Sequence, residues 1–445
     1  MSRSLFTFSL ALLFKTVLFA QSGPLYFPPK TGNTWSATPP SALGFCPEQI
    51  DSLYQFLEAN NTKSFLLLKD GKIVLEKYFG AYVQDSIWYW ASAGKSLTAF
   101  LVGQAQEEGL LDIDDPSADY LGAGWTSCTP AQEAAITLRH QLTMTTGLDD
   151  TPATADPDPN NCTDPSCLQY LAPPGTRWAY HTGAYRLLQD VIAAASGQTI
   201  NQFTKTRLLD RTGMKGLWVN DVMYGRARDM ARFGLLIQAH GVWDGDTLLH
   251  DQAYFNAMTH SSQNLNKSYG YLWWLNGQES FMLPGLQLVL PGPMIPNAPT
   301  DMFAALGKND QKIHVVPSKG WVVVRQGNAA NITGPGGNQV PIGFDNQLWA
   351  RLNALECSAS GSSEPAITAP QVAPNPSAGS WLIETGFTPL RAAVLNASGA
   401  VVWVKADLQE SRLTVDGRDW PPGLYCLHLL DAEGRTTRVK LMRIP

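Results

Sequence analysis

Residues 89–100 read YWASAGKSLTAF, with Lys95 three residues after Ser92 and an apolar run, Leu97, Phe100 and Leu101, closing behind it. A lysine is rarely set where a helix is being buried unless its amine has a task there. On a helix, positions three apart share a face, with Cβ atoms about 5–6 Å apart, so Ser92 and Lys95 are expected to meet. A serine hydroxyl is a weak nucleophile until a base takes its proton. Lysine serves as that base near neutral pH only when its pKa falls from ~10.4 toward ~7, which costs roughly 4 kcal/mol, and desolvation supplies shifts of this size. An apolar seat for Lys95 is therefore what would make it basic.

Ser-x-x-Lys also occurs in many helices as an ordinary solvated lysine, so the setting decides. Gly94-Lys95-Ser96 imitates the end of a phosphate-cradling loop, but that loop needs a glycine where this chain has Tyr89. There is no Gly-x-Ser-x-Gly elbow. Neither Cys-x-x-Cys nor His-Glu-x-x-His occurs, so no metal and no cofactor is expected.

The chain has 445 residues, 44% hydrophobic and 16% charged, a globular composition long enough for one large domain and a smaller one. A net charge of −6 without a basic stripe argues against a nucleic-acid partner. The N-terminus, MSRSLFTFSLALLFKTVLFAQS, carries Arg3, an apolar stretch and Ala20, and reads as a signal peptide over 1–20, although Lys15 interrupts it. Six cysteines suit an exported protein. Cys162 and Cys167 flank a short turn and are expected to pair; Cys46, Cys128, Cys357 and Cys426 cannot be paired from sequence.

Residues 21–44 are rich in Pro and Gly and read as an extended segment. The stretch 47–59 has apolar residues at helical spacing. SFLLLKDGKIVLEKYFG places Asp70-Gly71 between two apolar runs, a hairpin signal. ARDMARFGLLIQ (227–238) is an amphipathic helix. KIHVV and WVVVRQ, over 312–326, form two strands around a short turn. Hairpins at both ends with helices between predict an α+β domain over 45–356, its antiparallel sheet built from the two ends and flanked by helices, with a helical subdomain. A Ser/Pro/Gly linker spans 357–370. Short strands separated by turns at Asn396–Gly399 and Asp431–Gly434 then predict a small β-sandwich over 371–445.

YWASAGKSLTAFLVGQAQEEGLLDIDDPSADYL resembles the serine β-lactamase and penicillin-binding-protein superfamily, in its class C-like branch, as do ITLRHQLTMTTGLDD (136–150) and ARDMARFGLLIQ. YGYLWWLNG (269–277) is most similar to the nylon-oligomer hydrolases of that branch, which also holds esterases and D-aminopeptidases. The resemblance covers roughly 45–356. It implies that Ser92 is the nucleophile, with Lys95 and Tyr180 of WAYHTGAYRLL managing its proton. Many relatives carry asparagine where this chain has Thr182, a departure that weakens the expectation of β-lactam turnover. The third family element, Lys/His-Thr-Gly, occurs as Lys30-Thr-Gly32 and His181-Thr-Gly183, the first before Ser92 in the chain and the second within the Tyr180 element, and is absent at the register where it is expected. Counting back from the strand-ending Pro317 places its register near Met302–Ala304, so the backbone amides of Ser92 and Ala305 are expected to hold the oxyanion. Thr182, His181 and Lys308 are candidates for contacting substrate; for Lys308 a plain solvated lysine remains open. Most of the aromatics around the motifs, Trp88, Tyr89, Trp90, Trp178, Tyr269, Tyr271, Trp273 and Trp274, read as core.

VAPNPSAG (372–379), Pro422-Gly-Leu-Tyr425 and a closing strand with Lys440 resemble the C-terminal sorting domain of the type IX secretion system. That implies a secreted or cell-surface protein and the type IX machinery as a partner; a generic β-sandwich binding module remains open. The expected function is an exported serine hydrolase acting on a small ester, amide or peptide. The alternatives are a DD-peptidase or β-lactamase, and a non-catalytic surface protein that keeps the fold.

Overall fold

The computed structural model describes residues 25–332, 342–357, 370–397, 399–406, 408–430 and 436–445. The expected signal peptide, most of the linker and the turn at 431–434 lie outside the described residues. The chain divides into two compact units, Met1–Cys357 and Ser358–Pro445.

In the first unit, helix α1 (Pro47–Ala59) leads into strands β1 (Thr62–Lys69) and β2 (Lys72–Tyr78). Their turn is tight because Asp70 and Gly71 both take positive φ, 48° and 82°, the geometry that matches strand twist in a two-residue hairpin. Gly71 has a second reason to lack a side chain: a Cβ there would lie 1.9 Å from the Tyr26 carbonyl oxygen. Helices α2 (Gly94–Glu107), α3 (Thr182–Ser196) and α4 (Ala227–Gln238) follow. The chain then returns to the sheet through β3 (Trp274–Leu275), β4 (Phe303–Gly307), β5 (Gln311–Val316) and β6 (Trp321–Gly327), and closes with α5 (Ile342–Asn353). The sheet order is β2-β1-β6-β5-β4-β3, with every neighbouring pair antiparallel. The sequence expectation of a sheet assembled from the two ends of the domain holds.

Both faces of the sheet are covered. Gly234 of α4 sits so close to the sheet that an added Cβ would lie 2.5 Å from Val322 and 2.9 Å from Ile313. Lys312 and His314, on either side of Ile313 in β5, instead face α5 through Asp345 and Trp349. Successive strand residues point to opposite faces, so α4 and α5 lie on opposite sides. Two-sided burial explains why β1 and β6 read as near-continuous apolar runs rather than alternating ones.

The ends of this unit are tied together. Cys46 and Cys357 form a disulfide, Cys46 N–H donates to Leu355 O at 2.8 Å and Cys357 N–H to Gly44 O at 2.6 Å. Cys162 and Cys167 form a second disulfide, as expected, while Cys128 and Cys426 are free.

The second unit contains β7 (Gln371–Ala373), β8 (Ser380–Glu384), β9 (Arg391–Leu395), β10 (Val401–Ala406), β11 (Arg412–Asp416), β12 (Gly423–Leu430) and β13 (Thr436–Arg443). They form two sheets, β7-β8-β11 and β10-β9-β12-β13. One apolar core joins them, with Trp381, Ile383 and Val415 from the first sheet and Val394, Leu427 and Leu441 from the second. This is the sandwich that alternating patterns such as those in β8 and β11 predict.

Candidate active site

Ser92 sits where a short strand, Trp88–Tyr89, breaks into a helix. Ala91 takes a left-handed φ of 48°, a conformation that costs a side-chain-bearing residue on the order of 1 kcal/mol and is held by its surroundings. A single 3-10 turn, Ala91–Ala93, then runs into α2. That helix is buried from Gly94 to Ala105, so Lys95 enters the interior with it and is 2% exposed. Its amine has company of a specific kind. Nζ lies 3.1 Å from Ser92 Oγ and 3.3 Å from Thr182 Oγ1, bonded to both. It also stands 4.0 Å from the Tyr185 ring centroid and 4.9 Å from that of Tyr180. No carboxylate pairs with it among the described residues. Burial therefore holds the Lys95 pKa well below the usual amine range, and the nearby Arg186 guanidinium pushes it the same way.

Tyr180 is wedged among aromatics, stacked on Trp274 at 5.6 Å and edge-on to Tyr269 at 6.3 Å. Burial raises its pKa, and interaction with the Ser92 hydroxyl opposes that only in part, so the phenol stays protonated. Its backbone is fixed by a segment the sequence reading overlooked. Asn160 Nδ2 donates to Tyr180 O at 3.0 Å, Asn160 Oδ1 accepts from Thr182 N–H at 3.2 Å, and Asn160 O accepts from Gly183 N–H at 2.7 Å. A Cβ on Gly183 would lie 2.0 Å from the Cys162 carbonyl oxygen, so glycine lets this segment press onto the start of α3. The Cys162–Cys167 disulfide closes the segment just beyond, and Arg186 donates to Asn161 O at 2.8 Å.

The expected oxyanion donor moves. Ala305 is fully buried in mid-strand opposite Ile313 and does not line the cleft. The strand end beside Ser92 is Gly307, where an added Cβ would lie 2.4 Å from Trp90 O and 3.1 Å from Ala93 N. Gly307 pairs with Gln311, so the turn is only Lys308-Asn309-Asp310, tightened by positive φ at Asn309 (60°) and Asp310 (64°). The register counted back from Pro317 lies two to three residues short of this strand end. The part of β4 that lies beside the Ser92 turn is thus Gly307, followed by Lys308, and not Ala305.

A polar cleft of about 190 Å³ opens over the serine, lined by Ser92, Asp158, Asn160, Asn161, Tyr180, Thr182 and Lys308. Of the residues singled out from sequence, Ser92, Tyr180, Thr182 and Lys308 meet there, with Lys95 directly beneath. His181 does not. It is 2% exposed, neither ring nitrogen has a hydrogen-bond partner, and burial pushes its pKa to about 4, so the ring is neutral, and it does not line the cleft. Asp158, Asn160 and Asn161 escaped the sequence reading; their one signal was their position directly before the Cys162–Cys167 turn.

A family model described as Beta-lactamase matches residues 59–337, more than half of the chain. The chain belongs to the Beta-lactamase family. That places it in the β-lactamase and penicillin-binding-protein superfamily of serine hydrolases, and its α+β architecture is the β-lactamase-like fold expected from sequence. An uncharacterised protein of Alkalihalophilus pseudofirmus is 24% identical over 307 residues, 60% of this chain and 83% of that one. Among solved structures, a protein of Bacillus anthracis described as a 6-aminohexanoate-dimer hydrolase is similar with a TM-score of 0.56 and 18% identity, over 76% of this chain and 90% of its own. A Bacteroides dorei protein described as a β-lactamase gives 0.55 and 16%, over 70% and 99%. Within the Beta-lactamase family fold, Ser92 and Tyr180 line one cleft and Lys95 lies beneath it, 3.1 Å from Ser92 Oγ.

Proposed function

We propose that this chain is a serine hydrolase that cleaves carboxylic esters or small amides through an acyl-enzyme on Ser92. The observation that carries the reading is the Lys95 amine, buried, unpaired with any carboxylate and 3.1 Å from Ser92 Oγ. Kept neutral by desolvation, Nζ takes the Ser92 proton as Oγ attacks the carbonyl carbon. The carbonyl oxygen gains charge in that step, and the amides of Ser92 and of Lys308, the first residue after β4, are the donors assigned to it. The protonated amine returns its proton through Tyr180 to the leaving group. Water then resolves the acyl-enzyme. Thr182, in hydrogen bond with Lys95, holds the amine toward Ser92.

Action on β-lactams or on peptidoglycan peptides is the second reading, favoured by family membership and weakened by Thr182. Mass spectrometry after exposure to a fluorophosphonate and to a penicillin separates the two. An adduct on Ser92 with the first alone supports the ester and amide reading; no adduct with either overturns the mechanism. Hydrolysis of nitrophenyl esters is expected to vanish in Ser92→Ala, and equal rates in both proteins would leave a binding module.

We also propose that the chain is exported, by a signal peptide over 1–20 and by a type IX sorting role of the C-terminal sandwich. Two disulfides suit an oxidising compartment. Retention of the protein inside cells after deletion of 371–445 tests the sorting role.

A further inference from the structure

The two amides assigned to the oxyanion belong to different elements, Ser92 to the turn into α2 and Lys308 to the turn after β4. Such donors stabilise developing charge only when they are held in place before it appears. The Ser92 side is fixed by the buried start of α2. The other side is a three-residue turn, Lys308-Asn309-Asp310, whose first residue borders the cleft. That turn is held by a buried cation away from the nucleophile, Arg325.

Arg325 lies in β6, between Phe65 of β1 and Lys312 of β5. It is fully buried, with its guanidinium carbon 5.0 Å from the Phe344 ring centroid of α5. Buried charges are normally paired. Among the described residues no carboxylate pairs with this one: the two acids whose charge it feels, Asp310 and Asp345, are held by Lys312 at 3.2 and 2.7 Å. Burial pushes its pKa down to about 10, so it stays cationic at neutral pH. A guanidinium has five N–H donors in a fixed fork, and here each ends on a neutral oxygen. Nε donates to Thr62 Oγ1 at 3.1 Å. Nη1 donates to Asn309 O at 3.1 Å and to Asp310 O at 2.9 Å. Nη2 donates to Asn60 O at 2.6 Å and to Asn328 O at 2.9 Å. The fork therefore ties the backbone of the turn to the chain leaving α1 and the chain leaving β6.

A second bond reaches the turn from the nucleophile's own strand. Tyr89, three residues before Ser92, accepts from Asn309 Nδ2 at 2.7 Å through its hydroxyl. We propose that Arg325 and Tyr89 are positioning residues for the oxyanion site: the guanidinium fixes the backbone of the turn to the sheet, and the phenol fastens the turn to the strand that carries Ser92. The proposal rests on the serine-hydrolase reading and deepens it. Neither side chain lines the cleft, so both act through the Lys308 amide and not on substrate.

The test compares the full chain with Arg325→Lys and Tyr89→Phe on a nitrophenyl ester and on its thiono counterpart, in which sulfur replaces the carbonyl oxygen. Sulfur is larger and a weaker acceptor, so it gains less from the two amides, and the ratio of oxo to thiono rates reports on their placement. Rates are taken per site titrated by a fluorophosphonate, beside a thermal melt. Arg325→Lys keeps the charge but cannot span the carbonyls; it is expected to lower kcat on the oxo ester roughly tenfold, less than outright loss of a donor, with KM changed less than about threefold. Tyr89→Phe loses one neutral hydrogen bond and is expected to lower it about fivefold, with Tm close to that of the wild type. In both, the thiono ester is expected to lose less, so the ratio falls. A ratio unchanged in either folded variant overturns the proposal, because the bonds would then serve folding alone. If Arg325→Lys does not fold, Tyr89→Phe decides by the same criterion. Where hydrolysis by the wild type still depends on Ser92, such a result removes only the positioning role; where it does not, the underlying reading falls first.

Discussion

Gln311→Met tests whether the turn after β4 serves chemistry or only folding. Gln311 is fully buried, and its side-chain amide spans the turn. Nε2 donates to Lys308 O at 3.3 Å, Asn309 O at 2.8 Å and Gly327 O at 2.7 Å, while Oε1 accepts from Gly327 N–H at 3.1 Å. Methionine fills the same space and makes none of these bonds. Two of the four backbone groups keep another partner: Asn309 O has Arg325, and Gly327 O has Trp88 Nε1. Lys308 O and Gly327 N–H lose the bond that the Gln311 side chain gives them. Water reaches the exposed Lys308, which leaves the buried Gly327 N–H, and an orphaned buried group costs ~1–3 kcal/mol, so the loss is about 1–3 kcal/mol. Much of that strain falls on the backbone assigned to the oxyanion. Deleting such a donor costs about 10²–10³ in kcat, so a displaced one is expected to cost roughly 10–100-fold, with KM changed less than about threefold. The assay is steady-state hydrolysis of a nitrophenyl ester, normalised to sites titrated by a fluorophosphonate, beside a thermal melt. A lower Tm with unchanged kcat per titrated site would refute the reasoning, because the turn would then support the fold without placing the amide.

Lys95→Met is expected to abolish turnover and to stabilise the protein at neutral pH. The folded-state pKa of Lys95 is depressed, so below the unfolded value of ~10.4 the unfolded chain binds a proton that the native state refuses. The stability gained by the variant is largest at and below the folded pKa and fades as pH rises toward ~10.4; denaturant melts across that range check it, and a gain independent of pH would contradict it. For the same reason wild-type kcat/KM is expected to rise with pH through the folded pKa of Lys95. Replacing both Cys46 and Cys357 by serine opens a loop with a sequence separation of 311, worth up to about 5 kcal/mol in chain entropy. The urea midpoint should fall while activity in the absence of denaturant persists.

How much of this was legible in the sequence depends on the range of the cause. Helix α1 has the bounds expected from its spacing, Pro47–Ala59, because its pattern is local. Ser92 and Lys95 share a turn, so three residues of spacing suffice to bring them together. The Cys46–Cys357 bond was out of reach, since nothing near either cysteine encodes a partner hundreds of residues away. Ala305 failed for a subtler reason. The strand was visible, but its register depends on a three-residue turn whose Asn309 and Asp310 adopt left-handed φ, and turn length does not follow from an apolar pattern. Asp158, Asn160 and Asn161 lie in a stretch with no periodicity at all. They matter through contacts with Tyr180, Thr182 and Gly183, which only the folded chain brings near.

Thr182 links these observations. With the Lys95 amine neutral, Nζ has one lone pair and two protons. Taking the Ser92 proton uses the lone pair, so the amine must donate elsewhere, and Thr182 Oγ1 at 3.3 Å is an acceptor for it. A hydroxyl engaged in that way has a single proton left to offer, whereas an asparagine would add an amide with two donors. Threonine at this point therefore keeps an acceptor for the base and subtracts the amide donors that an asparagine would offer a substrate. Recognition has to come from elsewhere in the cleft. The remaining polar groups with free capacity are on the segment around Asp158–Asn161 and on Lys308, both outside the Ser92–Lys95–Tyr180 set. The buried helix holds the base, while the disulfide-closed segment and the turn hold the backbone beside it, through Asn160 at Tyr180 and Thr182 and through Gln311 at Lys308, so only the Asp158 and Lys308 side chains at the cleft are outside that support.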